Sequence, residues 1–331
     1  MKYYQDTAFN QLHATINGNS SVNCPEKLYI NTVRRKLCDP ISVNIPENHM
    51  PFAVFKKLID ETAQYVKSYA LVNGGEVLFL NDFEKRLLYI KHNQLSNATI
   101  EIHSYGDALT TENIKFLHDN LVKVNVSFCA PTNNLHTKIT GRSNFNKVCE
   151  NLQKLVSVYN DVDPSSSPAL YIRIQKLNQN KIFAITRLAK ELGIRKLAFW
   201  ILNDPTYKAA LPSKELRREL EEVYKFIDKS QMLLWLYPLR VGNYIFSGTQ
   251  YRPVANYILN TSCCAPVISS MIDFDGAVYS CLERSIYIDN INNNPFIDIW
   301  RGQRYEYMRN IVNSPGQMPE QCKKCQWANR K

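Results

Sequence analysis

Cys264, Cys281, Cys322 and Cys325 have the chemistry and the spacing of a metal-binding set. Between the first two lies the stretch SMIDFDGAVYS, whose apolar residues alternate around Asp275-Gly276, a pair that favours a tight hairpin turn. Such a hairpin returns its two flanking cysteines to neighbouring strand ends. Cys322 and Cys325 form a CxxC soon after Pro319, and two intervening residues let both sulfurs face one ion. Four thiolates suit a soft or borderline metal, and on spacing alone that metal is zinc. Cys263 is a rival for the first ligand position. The bland alternative, four unrelated small buried thiols, has to explain the hairpin and the CxxC separately.

The elements that must carry this set come before it. Strand and helix signals alternate from about Leu28 to Ile201. Leu28-Tyr29-Ile30 reads as a strand, and Phe52 to Tyr69 as a helix with Phe55, Leu58, Ile59, Thr62, Tyr65 and Val66 on one face. Strands follow at Ala70 to Val72, Thr99 to His103, Val122 to Phe128, Leu170 to Ile174 and Lys196 to Leu202. Helices are expected between them, among them Thr110 to Asn120, Ser143 to Tyr159 and Lys181 to Leu192, the last stopping at Gly193. Strands separated by helices imply parallel βα units. The expected fold is therefore α/β, a partial six-stranded TIM-like barrel with a small cysteine-rich C-terminal domain. The boundaries are an extension over residues 1–27, the barrel over 28–240 and the cysteine-rich domain over 241–331.

Composition narrows the class. The 331 residues are ample for a buried core, and no apolar run approaches the ~20 residues that span a membrane. The N-terminal stretch MKYYQDTAFNQLHATING has no apolar signal region, and nine cysteines without one favour metal ligation or free thiols in a cytoplasmic protein. The net charge of +10 is spread along the chain, as on a solvated basic surface, so a nucleic-acid partner is not the expectation.

Several short motifs resemble, in order, those of the radical SAM superfamily, in the branch with a C-terminal SPASM or shorter twitch extension. Gly74-Gly75-Glu76-Val77-Leu78 is similar to the family's GGEPL, with Val for Pro. Ser104-Tyr105-Gly106 stands where the family has Thr-Asn-Gly, and Val126-Ser127, His136 and Gly141 resemble its fourth strand and following loop. Asn290, Ile299-Trp300, Tyr305 and Arg309 resemble the segment that precedes the closing CxxC. The resemblance implies one auxiliary 4Fe–4S cluster on Cys264, Cys281, Cys322 and Cys325. It also implies that Gly74, Gly75, Glu76 and Ser127 face S-adenosylmethionine, and that a peptide is the substrate or partner.

The departure from the family falls on its chemistry. Radical SAM proteins hold a catalytic cluster on CxxxCxxC after the first strand. Here that segment reads Cys38-Asp39-Pro40-Ile41-Ser42-Val43-Asn44-Ile45, with Ser42 and Ile45 in the second and third ligand positions. Serine is a poor replacement for thiolate, and isoleucine cannot ligate. His103 and Cys129, at expected strand ends, are candidates for a replacement metal site with Cys38, or are simply packed. The leading expectation is a substrate- or partner-binding subunit that does not cleave S-adenosylmethionine. The alternatives are an enzyme that binds S-adenosylmethionine with a non-standard cluster or metal, and a zinc-containing basic nucleic-acid-binding protein.

Overall fold

The computed structural model describes residues 24–32, 49–72, 75–95, 97–163, 166–201, 214–230, 232–237, 240–241, 244–245, 263, 265–282, 286–314 and 316–323. In chain order the first strands are β1 (Lys27–Ile30), β2 (Ser68–Leu71), β3 (Thr99–Ser104), β4 (Lys123–Ser127), β5 (Ala169–Ile174), β6 (Lys196–Ile201) and β7 (Leu233–Tyr237). The two-residue pair β8 (Arg240–Val241) and β9 (Tyr244–Ile245) follows, then β10 (Ser269–Ile272), β11 (Ala277–Tyr279) and β12 (Tyr287–Asn290). The described residues fall into two compact units, one built from 24–100 with 263–323 and the other from 101–245.

In the first unit β1 is flanked by two parallel neighbours, β2 on one side and β10 on the other. The hairpin β10–β11 and the strand β12 then continue the sheet antiparallel. Leu28, Ile30, Ala70, Leu71, Met271 and Ile272 are all fully buried, and such apolar runs suit strands covered on both faces. The helix Phe52–Thr62 packs with Phe55, Leu58, Ile59 and Thr62 inward. It is shorter than the stretch to Tyr69 that its periodicity predicts. Ser68 to Leu71 are taken instead by the parallel register with Lys27 to Ile30, and Tyr65 is 48% exposed. The Thr62 hydroxyl donates to the Leu58 carbonyl and lies 3.0 Å from the Tyr69 hydroxyl, so it ties the helix end to the strand.

The expected hairpin turn forms at Asp275-Gly276. Gly276 has φ +84°, and a Cβ there would sit 2.7 Å from Asn290 Oδ1. Asn290 and Asn292 each donate a side-chain hydrogen bond to the Asp275 carbonyl at 3.0 Å, pinning the turn to the end of β12.

In the second unit β3 to β7 are parallel throughout. Side chains alternate across a strand, so each sheet face has its own composition. One face carries Ile102, Val124, Val126, Leu170, Ile172, Ile174, Leu197 and Phe199, all buried. The opposite face carries His103, Asn125, Ser127, Tyr171, Arg173, Lys196 and Trp200, which are polar or aromatic. The helix Ile182–Glu191 ends before Gly193 at φ +84°, as the sequence predicts. The helix Asn133–Thr140 was not expected. Thr132 caps its start, and Gly141, at φ +73°, ends it before the helix Phe145–Val158.

Candidate functional site

The cysteine-bearing segment is held by one helix, Gln303–Ile311. Cys263 precedes β10, and Cys281 lies two residues past the end of β11, whose Tyr279 pairs with Met271 of β10. Tyr305 is fully buried, and its hydroxyl donates to Ser270 Oγ at 2.6 Å and lies 3.1 Å from the Tyr279 carbonyl. Burial raises the Tyr305 pKa above its ordinary value, so the hydroxyl stays a donor. Arg309 donates to the carbonyls of Pro266 at 3.0 Å and Trp300 at 2.8 Å. Its guanidinium also lies 4.4 Å from the Trp300 ring centre and 5.1 Å from that of Tyr305.

Asn313, just past the same helix, accepts from the Cys263 N–H at 2.8 Å and donates to the Cys263 carbonyl at 3.0 Å. The backbone on both sides of position 264 is thus anchored to one helix end. Cys322 opens its own turn by donating its N–H to the Pro319 carbonyl at 2.9 Å. Cys281 and Cys322 are part-exposed thiols outside any disulfide. Cys264 and Cys325 lie outside the described residues, and among the described ones no three His, Cys, Asp or Glu side chains converge. A thiolate-bound cluster asks for soft donors on a braced backbone; Cys281 and Cys322 are soft donors, and the backbone of Cys263 is braced by Asn313.

Gly75 and Glu76 follow the C-terminal end of β2, whereas Gly74 lies outside the described residues. Glu76 is 2% exposed, and its carboxylate accepts from the Leu78 N–H at 3.4 Å, at the start of the short turn Val77–Phe79. A buried carboxylate at the C-terminal end of a parallel strand is well placed for a cationic ligand group. Ser127, the last residue of β4, belongs to the second unit. Ser104-Tyr105-Gly106 has a structural role. The Gly106 N–H donates to Ser104 Oγ and its carbonyl accepts from Asn151 Nδ2, both at 2.9 Å. At φ +85°, a Cβ on Gly106 would meet Val126 and Val148 at 3.0 Å.

On the polar face of the second unit, His103 Nε2 lies 3.1 Å from Asn125 Nδ2, and its ring centre 4.7 Å from that of Tyr171. Lys196 is buried, which pushes its pKa down to about 8, and its Nζ lies 5.7 Å from the Trp235 ring centre. Cys129 has a different neighbour from the one considered in the sequence: its Sγ lies 4.0 Å from His136 Nδ1. Cys38, Ser42 and Ile45 lie outside the described residues. Sequence reasoning missed Asn313 and the pairing of Cys129 with His136. The available signal was the seven-residue separation of that pair across a capped turn.

Residues 263–326 match the family model described as SPASM, an iron–sulfur cluster-binding domain. No curated protein matches the sequence. Among solved structures, native anSMEcpe with bound AdoMet is similar at 15% identity and a TM-score of 0.63, over 91% of this chain and 86% of that one. The Streptococcus suis SuiB structure bound to its precursor peptide SuiA is similar at 14% identity and a TM-score of 0.66, over 97% and 75%. Native anSMEcpe with AdoMet and the Cp18Cys peptide is similar at 16% and 0.61, over 92% and 87%. The chain shares its α/β partial-barrel fold with these structures, and its C-terminal residues 263–326 resemble the SPASM iron–sulfur cluster-binding domain.

Proposed function

We propose that this protein uses the radical SAM fold without its radical chemistry, as a peptide- or protein-binding subunit. In this reading the barrel spans residues 28–240, and the domain over 241–331 holds one auxiliary 4Fe–4S cluster through Cys264, Cys281, Cys322 and Cys325. The observation that carries it is the contrast between the two ends of the chain. Four spaced cysteines lie at the C-terminus, but a single one, Cys38, occupies the segment where three ligands are required. The peptides bound by SuiB and anSMEcpe support a peptide as the partner. A second reading, an enzyme that binds S-adenosylmethionine through Gly74, Gly75, Glu76 and Ser127, is favoured by the buried carboxylate of Glu76.

The test is anaerobic reconstitution followed by iron and sulfide counts and incubation with S-adenosylmethionine and a strong reductant. The expected result is about four irons per chain, all lost in the Cys322→Ala, Cys325→Ala double variant, with no 5′-deoxyadenosine above background. About eight irons, or 5′-deoxyadenosine that disappears in Cys38→Ala, would overturn the proposal. Stoichiometric zinc in protein isolated without oxygen would replace the cluster with a structural zinc site.

A further inference from the structure

Five side chains of the second unit form a hydrogen-bonded relay that the reading above does not use. Asp107 Oδ2 accepts from Arg142 Nη1 and from Asn144 Nδ2, both at 3.0 Å. A carboxylate only accepts, so the Asn144 amide nitrogen must face Asp107 and its Oδ1 must face His136. That oxygen lies 2.8 Å from His136 Nε2, which must therefore carry the hydrogen of the neutral ring. The remaining nitrogen, Nδ1, presents a lone pair 4.0 Å from Cys129 Sγ.

His136 is 5% exposed, and its pKa is below the ordinary value. Burial is the largest cause; Arg142 acts in the same direction, while Asn144 and Asp107 oppose. The ring is consequently neutral, and able to take a proton, at pH 7. Asn178 Nδ2 fixes the thiol's backbone by donating to the carbonyls of Cys129 and Arg173, both at 2.9 Å. Cys129 as a residue is neither fully buried nor exposed, and its sulfur sits mostly within the packing.

We propose that Cys129 is a nucleophile that takes acyl groups from activated esters and thioesters, with His136 as its general base and Asn144 as a positioning residue. Cys129 Sγ attacks the acyl carbonyl carbon while its proton passes to His136 Nδ1. The tetrahedral adduct collapses, the bond to the leaving oxygen or sulfur breaks, and the imidazolium returns the proton to that leaving group. The product is an S-acyl Cys129, and no oxidant or reductant is consumed. Burial holds the free thiol's pKa up at about 12, so at neutral pH the reaction has to run through the base.

The test uses the full-length, metal-loaded protein and p-nitrophenyl acetate, following p-nitrophenolate release and locating the acetyl group by peptide mass spectrometry. Cys149 is the internal control. It is a half-buried cysteine whose pKa burial pushes up to about 11, and among the described residues no imidazole is hydrogen-bonded to it. Acetylation of Cys129 should exceed that of Cys149 by about 100-fold and reach a plateau by neutral pH, with a limb below 6.5 set by His136. His136→Gln should lose about 100-fold. Asn144→Ala should be slower, with its limb moved to lower pH, because the Asn144 hydrogen bond raises the His136 pKa. The proposal fails if Cys129 is acetylated no faster than Cys149, or if the rate climbs without a limb toward the thiol's own ionisation. Retention of the wild-type rate in His136→Gln would also sink it. If that variant does not fold, the wild-type ratio and pH profile decide alone.

Discussion

Replacing Arg309 with methionine tests whether the helix Gln303–Ile311 holds the cysteine-bearing segment in place. The substitution keeps the apolar stem between Trp300 and Tyr305, and removes the charge and two hydrogen bonds, at 3.0 and 2.8 Å. Bonds from a charged donor are worth about 1.5–3 kcal/mol each, and their half-buried setting argues for the low end. The ring contacts at 4.4 and 5.1 Å add about 0.5–1 kcal/mol each. Against this stands the desolvation of the guanidinium, which the methionine escapes; burial lowers the Arg309 pKa, the sign of that cost. The net loss is about 2–3 kcal/mol, or a roughly 30- to 150-fold increase in opening of the segment. Amide hydrogen exchange over β10 and β11, read against the amides of β4 to β6, measures it. Arg309→Lys should fall between the two, since an ammonium cannot make both planar contacts. Exchange within threefold of wild type in Arg309→Met would refute the reasoning. Equal acceleration in β4 to β6 would show that the effect is not local.

Other substitutions probe separate links. Asn313→Ala loses two exposed hydrogen bonds to Cys263, together about 1 kcal/mol, and iron release to a chelator should be about fivefold faster. An unchanged release rate would show that Asn313 does not position the ligand backbone. Lys196→Met should stabilise the protein at pH 7 by about 2–3 kcal/mol, read from the urea midpoint. The sign follows from the folded pKa of about 8 against 10.5 unfolded: stability is fully present above 10.5 and is lost as pH falls toward 8. A midpoint that falls would mean that the ammonium's contacts outweigh its burial. His136 also has a depressed folded pKa, so wild-type stability should decline as pH falls below 6.5. His136→Gln should flatten that decline, and an identical acid profile would contradict the neutral buried ring.

The features that could be read from the sequence are those set by local geometry. Asp275-Gly276 makes its turn because a glycine accepts φ +84° where other residues strain, and Gly193 ends its helix for the same reason. Apolar periodicity likewise marks the existence of most helices and parallel strands, though not every boundary between them. What the sequence did not disclose depends on partners far along the chain. The helix from Phe52 stops at Thr62 because Ser68 to Leu71 gain a ladder with β1, a competition that local propensity does not contain. β10 lies parallel to β1 across more than 200 residues, so the cysteine-bearing hairpin extends the sheet of the first strand. Tyr305, Arg309 and Asn313 could be counted in the sequence, but their task appears only once the helix meets the backbone at 263, 266 and 270. Cys129 likewise pairs with His136, rather than with His103 on a neighbouring strand, because a capped turn folds the loop back over it. Side-chain partners follow from where tertiary packing carries the backbone, whereas turns and caps are settled within a few residues by sterics and hydrogen bonding.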